Sequence, residues 1–305
     1  MLKNILRYLE IKTKITCVLP FFMTLAYLFY LGQPISWSLT IPFFFSMFFI
    51  DLAATAINNY IDSRDYPDML GLSRPAALWL LLALLASGSI LGLYLAWRTD
   101  LVVLLTGGLC VVCGVLYTYG PIPISRQPLG EILSGIFEGV LIPFLLLYIN
   151  MPRDTYLTLT LGLPAIRLSL YVKPLVTLLL FTMVPALATA GIMLANNTCD
   201  IEKDISVNRY TLPYYLGKKR AIRLFALLYV LAYLFPCLMV LLGMLPATCL
   251  LLLLTLPVVW KGVDAFLKEQ KKETTFLVSI KNYILLVGLY TVCIFLGGII
   301  LPSAP

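Results

Sequence analysis

Apolar positions in this chain come in long unbroken blocks rather than in the two-residue alternation of a half-buried strand or the one-sided stripe of a surface helix. A helix needs about 20 apolar residues to cross the hydrocarbon core of a bilayer. In lipid the backbone must satisfy its own hydrogen bonds, so such blocks are read as helices. Scanned with a window of about 19 residues, the blocks predict spans near 15–32, 37–57, 76–97, 101–119, 130–150, 173–195, 221–243, 245–260 and 280–301. The stretch 155–171, YLTLTLGLPAIRLSLYV, is apolar for too short a distance before Pro164 and Arg167 interrupt it. It is read as an external or interfacial segment. The expected fold class is an all-α polytopic membrane protein with nine transmembrane helices.

Composition agrees with this pattern. The 305 residues are 61% hydrophobic and 12% charged, with a mean hydropathy of +0.95, whereas about a quarter of the residues of a soluble domain are charged. Length alone would suggest about two soluble domains. The run of spans replaces that expectation with a single membrane domain over 1–305. Basic residues concentrate in cytoplasmic loops, and with an inside N-terminus all of the 22 Lys and Arg except Arg98, Arg153, Arg167 and Lys173 fall on that side. The net charge of +7 is therefore a mark of topology in a cell membrane rather than of nucleic-acid binding. The first apolar block follows a basic N-region but lacks a small-residue cleavage site, so it is read as a retained helix.

The seven cysteines lie mostly inside apolar blocks, and the pair Cys110 and Cys113 has no second pair or histidine to complete a zinc site. They are read as small hydrophobes. Histidine is absent, which takes haem and most zinc enzymes out of consideration. Proton transfer is left to carboxylates, tyrosine, lysine or water.

Against this background two polar clusters stand out. NNYID (58–62) closes the second apolar block and NNTCD (196–200) closes the sixth. Four spans separate them, which points to duplication of a four-helix unit, with pseudo-repeats at roughly 1–130 and 131–260 and the ninth helix, 280–301, appended. Residues at i and i+4 share a helix face. Asn196, Asp200 and Asp204 therefore make one stripe, and Asn58 and Asp62 begin another that continues through Asp65 and Asp68. A carboxylate at the bilayer centre costs about 2.5–3.5 kcal/mol on insertion scales, and like charges within a turn repel, so a compensating cation is expected. Oxygen-only stripes suit a hard ion such as Mg²⁺, which keeps waters and is completed by substrate phosphates.

NNYIDSRDYPD (58–68) resembles the N-D-x-x-D-x-x-x-x-x-D signature of UbiA-type membrane prenyltransferases, in the long-spaced form of the branch acting on 1,4-dihydroxy-2-naphthoate. NNTCDIEKDISVNRYTLPYYLGKKRA (196–221) resembles the second signature of that branch, LYTYGPIPISRQPLGE (116–131) its Y-[ST]-x-G-P-x-P…L-G-[DE] loop, and IKTKITCVLPF (11–21) the start of its first helix. One position departs from the pattern: Asn59 stands where the family usually has Asp.

The resemblance implies nine helices around a central cavity, a requirement for Mg²⁺, and transfer of a polyprenyl group from a polyprenyl diphosphate to an aromatic acceptor in menaquinone biosynthesis. It implies that Asn58, Asp62 and Asp68 bind one metal-diphosphate face and Asn196, Asp200 and Asp204 the other, with Asp65 able to stand in for the missing charge at 59. Asp62, Asp68, Asp200 and Asp204 are the expected catalytic carboxylates. Lys12, Lys14, Arg126 and Arg209 lie beside family-like segments and are candidates for stabilising the leaving group. Tyr117 and Tyr119 are candidates for binding phosphate or shielding a cation. Other acceptors in the superfamily are 4-hydroxybenzoate, homogentisate and haem. A secondary transporter is the reading from a different class, since internal repeats and intramembrane acids also mark carriers.

Overall fold

The computed structural model describes residues 2–63, 70–120, 123–163 and 165–300. Its helices are α1 (Leu2–Tyr8), α2 (Ile15–Tyr30, entered through a 3₁₀ turn at Ile11–Lys14), α3 (Trp37–Asp62), α4 (Arg74–Arg98) and α5 (Leu101–Thr118). There follow α6 (Gly130–Ser134), a π-helical stretch Gly135–Leu141, α7 (Ile142–Asn150), the strands β1 (Leu157–Leu161) and β2 (Ile166–Leu170), and α8 (Val172–Cys199). The chain ends with α9 (Ile201–Ser206), α10 (Leu212–Leu216), α11 (Lys218–Leu241), a 3₁₀ stretch Ala247–Thr255 running into α12 (Leu256–Lys268), and α13 (Phe276–Ile300).

Among the described residues nine helical stretches are long and apolar enough to cross a membrane, with α6 to α7 forming one continuous span and Ala247–Lys268 another. Their limits refine those read from hydropathy. The second span continues to Asp62 rather than ending at 57, and the eighth reaches Lys268 rather than 260. In both cases the helix outlasts its apolar block, because backbone hydrogen bonding carries it into polar residues that a hydropathy window excludes.

Local chemistry sets several ends. Asp100 caps α5, its carboxylate accepting from the amides of Val102 and Val103 at 2.9 and 3.3 Å. Pro75 lies in the first turn of α4, where no amide donor is needed. Within the stretch 155–171, β1 and β2 pair antiparallel as a hairpin, with Leu157 opposite Leu170 and Leu161 opposite Ile166. Leu157, Leu159, Leu161, Ile166, Leu168 and Leu170 share one face, and Thr158, Thr160, Arg167 and Ser169 share the other.

Two compact units divide the chain. One comprises Met1–Val18 and Trp37–Arg126, the other Leu19–Ser36 and Gln127–Pro305. In the first, Tyr8, Leu9, Leu52, Ala56, Ile57, Ala77 and Leu81 form the core near the end of α3. In the second, α8 is central: Phe181 stacks on Tyr27 at 4.3 Å between centroids. Gly135 and Gly139 press their span onto α8, where a β-carbon at Gly139 would fall 2.3 Å from the Ala186 α-carbon. Small residues four apart allow this close approach of two helices in a membrane.

Candidate functional site

Asn58 and Asp62 of the first acidic cluster are helical, because α3 ends at Asp62 itself. Asn58 and Asp62 lie one turn apart on one face, and the Asn58 amide donates to Asp62 Oδ2 at 3.4 Å. Thr118, at the end of α5, donates to Asn58 Oδ1 at 3.1 Å. Asp62 is exposed. Asp65 and Asp68 lie outside the described residues.

Asn59 does different work from its neighbour. Its amide donates to the Tyr8 carbonyl at 2.8 Å and to Glu10 Oε1 at 3.2 Å, tying the N-terminal segment to the end of α3. An aspartate here would set a carboxylate against a carbonyl and a second carboxylate, which gives the departure at 59 a physical reason. The Tyr8 phenol donates to the Ala56 carbonyl at 2.9 Å. Burial, and secondarily Tyr60, pushes it up to about 12, so it remains a donor.

Further along the same face of α3 lie Thr55 and Asp51. Lys14 is 4% exposed. Its ammonium sits 3.0 Å from Asp51 Oδ2 and donates to Thr55 Oγ1 at 2.5 Å and to the Asp51 carbonyl at 3.1 Å. A lysine considered for a diphosphate is thus held inside the protein, and the intramembrane Asp51 has its counter-charge. Lys12 is exposed. Arg126 is also exposed, at the end of a 3₁₀ turn Ile124–Arg126. Tyr119 is exposed and Tyr117 half-buried at the end of α5.

The second cluster belongs to the other unit. Helix α8 ends at Cys199, and Asp200 bridges to α9 with φ −101° and ψ 9°. Helical hydrogen bonding nevertheless runs through the joint: the Asp200 amide donates to the Asn196 carbonyl at 3.2 Å and the Asp204 amide to the Asp200 carbonyl at 2.8 Å. Asn196, Asp200 and Asp204 therefore keep a common stripe. The Lys272 ammonium, from the loop between α12 and α13, donates to Asn196 Oδ1 and, at 2.5 Å, to Asp200 Oδ2.

Asp204 is 6% exposed. Its Oδ1 lies 3.8 Å from Arg209 Nε, and its Oδ2 is buried with no hydrogen-bond donor. Burial raises the Asp204 carboxyl above the usual carboxylate range, Arg209 pulls it back, and Asp200 pushes it up again. A turn in which Asn208 adopts φ 56° brings the Arg209 amide to the Asp204 carbonyl at 2.8 Å. Asparagine tolerates this left-handed backbone.

Asn197 parallels Asn59. Its amide donates to Glu131 Oε1 at 2.9 Å, and both residues are buried. Glu131 Oε2 and Asn197 Oδ1 have no hydrogen-bond partner. In both doublets, then, the first asparagine lies on the acidic stripe and the second fastens the helix end to another segment. Thr118, Glu131 and Asn197 lie in segments that the sequence singles out but received no role from it, and Lys272 was not singled out at all. The repeated second Asn was a usable signal; Lys272 carried none, being one basic residue among many in a loop.

Chemically, the second stripe offers an amide oxygen and two carboxylates, hard donors suited to a divalent cation. A cation already occupies two of its oxygens, and a buried third oxygen lacks a partner. Among the described residues no three acidic, cysteine or histidine side chains are gathered closely enough to hold a metal ion by themselves. The arrangement fits an ion completed by water or by a ligand's oxygens.

Residues 18–284 match the UbiA prenyltransferase family. A 1,4-dihydroxy-2-naphthoate octaprenyltransferase from Bacillus subtilis (strain 168) is 25% identical over 238 residues, covering 74% of this chain and 70% of that protein. A UbiA homologue from Aeropyrum pernix K1 superposes with a TM-score of 0.65 at 17% identity, covering 92% of this chain and 98% of that one. A homologue from Archaeoglobus fulgidus, bound to GPP and Mg²⁺, gives 0.62 at 13% identity, covering 97% and 100%. At these identities the structures speak for the fold, and the family match over most of the sequence speaks for descent. The chain is an integral, multi-pass membrane protein and prenyltransferase that belongs to the UbiA prenyltransferase family.

Proposed function

We propose that this enzyme catalyses Mg²⁺-dependent transfer of a polyprenyl group from an allylic polyprenyl diphosphate to 1,4-dihydroxy-2-naphthoate, in menaquinone biosynthesis, at a site facing the cytoplasm of a cell-membrane protein. The observation that carries this reading is the Asn196, Asp200 and Asp204 stripe, which already holds one cation and keeps a buried carboxylate oxygen without a donor. The choice of acceptor is supported by the long spacing of the first motif and by the likeness to the Bacillus subtilis enzyme.

Asn196, Asp200 and Asp204 would hold one Mg²⁺, and Asn58 and Asp62, with Asp65 or Asp68, another. Bound there, Mg²⁺ would supply Lewis-acid chemistry, withdrawing charge from the diphosphate leaving group. Arg209, fixed beside Asp204, adds fixed positive charge near the leaving group, and exposed Arg126 is the second cation of this kind. Glu131 and Asn197 hold the end of α8 in place. Tyr117 and Tyr119 screen the reacting carbon from water. The allylic C–O bond breaks with its electron pair going to diphosphate, and an electron-rich ring carbon supplies the pair for the new C–C bond. The ring proton is lost, and a proton replaces the acceptor's carboxylate, which leaves as CO₂.

The test is purified protein supplied with a polyprenyl diphosphate, Mg²⁺ and, separately, 1,4-dihydroxy-2-naphthoate, 4-hydroxybenzoate, homogentisate and haem. Prenylation of the naphthoate with release of CO₂ is expected. Product with another acceptor and none with the naphthoate would overturn the acceptor assignment, and no product with any would overturn the reading as a whole.

A further inference from the structure

We propose that Lys272 is a built-in placeholder for the metal of the second motif: its ammonium occupies the cation position on Asn196 and Asp200, and a divalent ion loads by displacing it. This rests on the reading of Asn196, Asp200 and Asp204 as a metal shell.

The loop that carries Lys272 is shaped to deliver it. The amides of Thr275 and Phe276 both donate to the Lys271 carbonyl at 3.0 Å, and the Lys271 amide donates to Thr275 Oγ1 at 2.7 Å. Thr275 is 8% exposed, so the turn is anchored from beneath. The two adjacent lysines then part company. Lys271 pairs outward with Glu269 at 2.6 Å, whereas Lys272 turns to the second motif and lies 5.0 Å over the Phe276 ring, a second favourable contact for a cation.

The fit at the motif is that of a substitute. An ammonium is a compact point charge with three donors, and here it satisfies Asn196 Oδ1 and Asp200 Oδ2 but leaves Asp204 Oδ2 without a donor. One positive charge faces two carboxylates, with Arg209 touching Asp204 only loosely, at 3.8 Å. A divalent ion would take the same two oxygens and the third as well. A divalent ion on the same two oxygens would face the ammonium at close range, so metal and lysine compete for them. The lysine thereby keeps the carboxylates from repelling and the stripe assembled until the metal arrives.

The experiment uses Mn²⁺ alone as the probe, bound to the full-length, substrate-free protein and followed by electron paramagnetic resonance. Lys272→Met keeps the stem and removes the charge, so Mn²⁺ should bind about tenfold tighter than to wild type once the competing charge is gone. Lys272→Arg, which retains a cation, should stay near wild type. In parallel, Lys272→Met should melt lower than wild type in chelator and show a larger rise in Tm on adding Mg²⁺. Equal or weaker Mn²⁺ binding by Lys272→Met overturns the placeholder role. Asp200→Asn separates the two levels of the claim. Undiminished Mn²⁺ binding in that variant overturns the metal shell itself, whereas binding that falls with Asp200→Asn but ignores Lys272→Met overturns the placeholder alone.

Discussion

Asn58 and Asn59 are chemically identical neighbours with opposite duties, as are Asn196 and Asn197. The first of each pair stands on the acidic stripe, and the second donates inward, to Tyr8 and Glu10 in one case and to Glu131 in the other. Asp62→Ala and Asp200→Ala should each lower turnover by about 10²–10³-fold while the protein stays monodisperse, as removal of a charge-stabilising group at a reaction centre does; initial rates under saturating Mg²⁺ decide it. Restoring the family's usual residue with Asn59→Asp should not raise turnover and should lower stability by about 1–3 kcal/mol, because a carboxylate would face Glu10 in place of a donor. Lys14 and Asp51 act as a unit. Asp51→Leu alone should cost about 3–5 kcal/mol by leaving a buried ammonium uncompensated, and most of that should return in the double variant Lys14→Met/Asp51→Leu, read from unfolding in detergent. The acidic stripes were legible because helix spacing is local. The Lys14–Asp51 and Lys272–Asp200 pairs join residues 37 and 72 positions apart, a separation at which a single sequence carries no pairing signal.

At the scale of elements, the apolar blocks announced the spans and hid their irregularities. The π-helical stretch Gly135–Leu141 coincides with the contact on α8, where Gly139 leaves no room for a side chain. Gly139→Val should therefore force the two helices apart and lower stability by about 1–3 kcal/mol, visible as a fall in Tm. The hairpin was legible in principle, since Leu-Thr-Leu-Thr-Leu alternates with the two-residue period of a strand, but a hydropathy window averages over alternation and sees only a short apolar stretch. The eighth span outran its apolar block for the same kind of reason: Lys261, Asp264 and Lys268 belong to α12, and charge near a helix end shortens the window without ending the helix.

For the molecule as a whole, parity is the strongest constraint. The two acidic clusters close the second and sixth of nine candidate spans among the described residues; in the proposed topology, where every candidate span crosses, the even number of crossings between them would bring both to the same side. Cysteines introduced singly at Asp68 and Lys219 should thus be labelled by an impermeant maleimide from one face, the cytoplasmic one; labelling from opposite faces would break the span count. Action of both clusters on one substrate is the central functional proposal. Calorimetric binding of farnesyl diphosphate tests it most directly. Tight binding in Mg²⁺ that is lost both in excess EDTA and in each of Asp62→Ala and Asp200→Ala is the predicted result, and binding that survives the chelator or either substitution would contradict it.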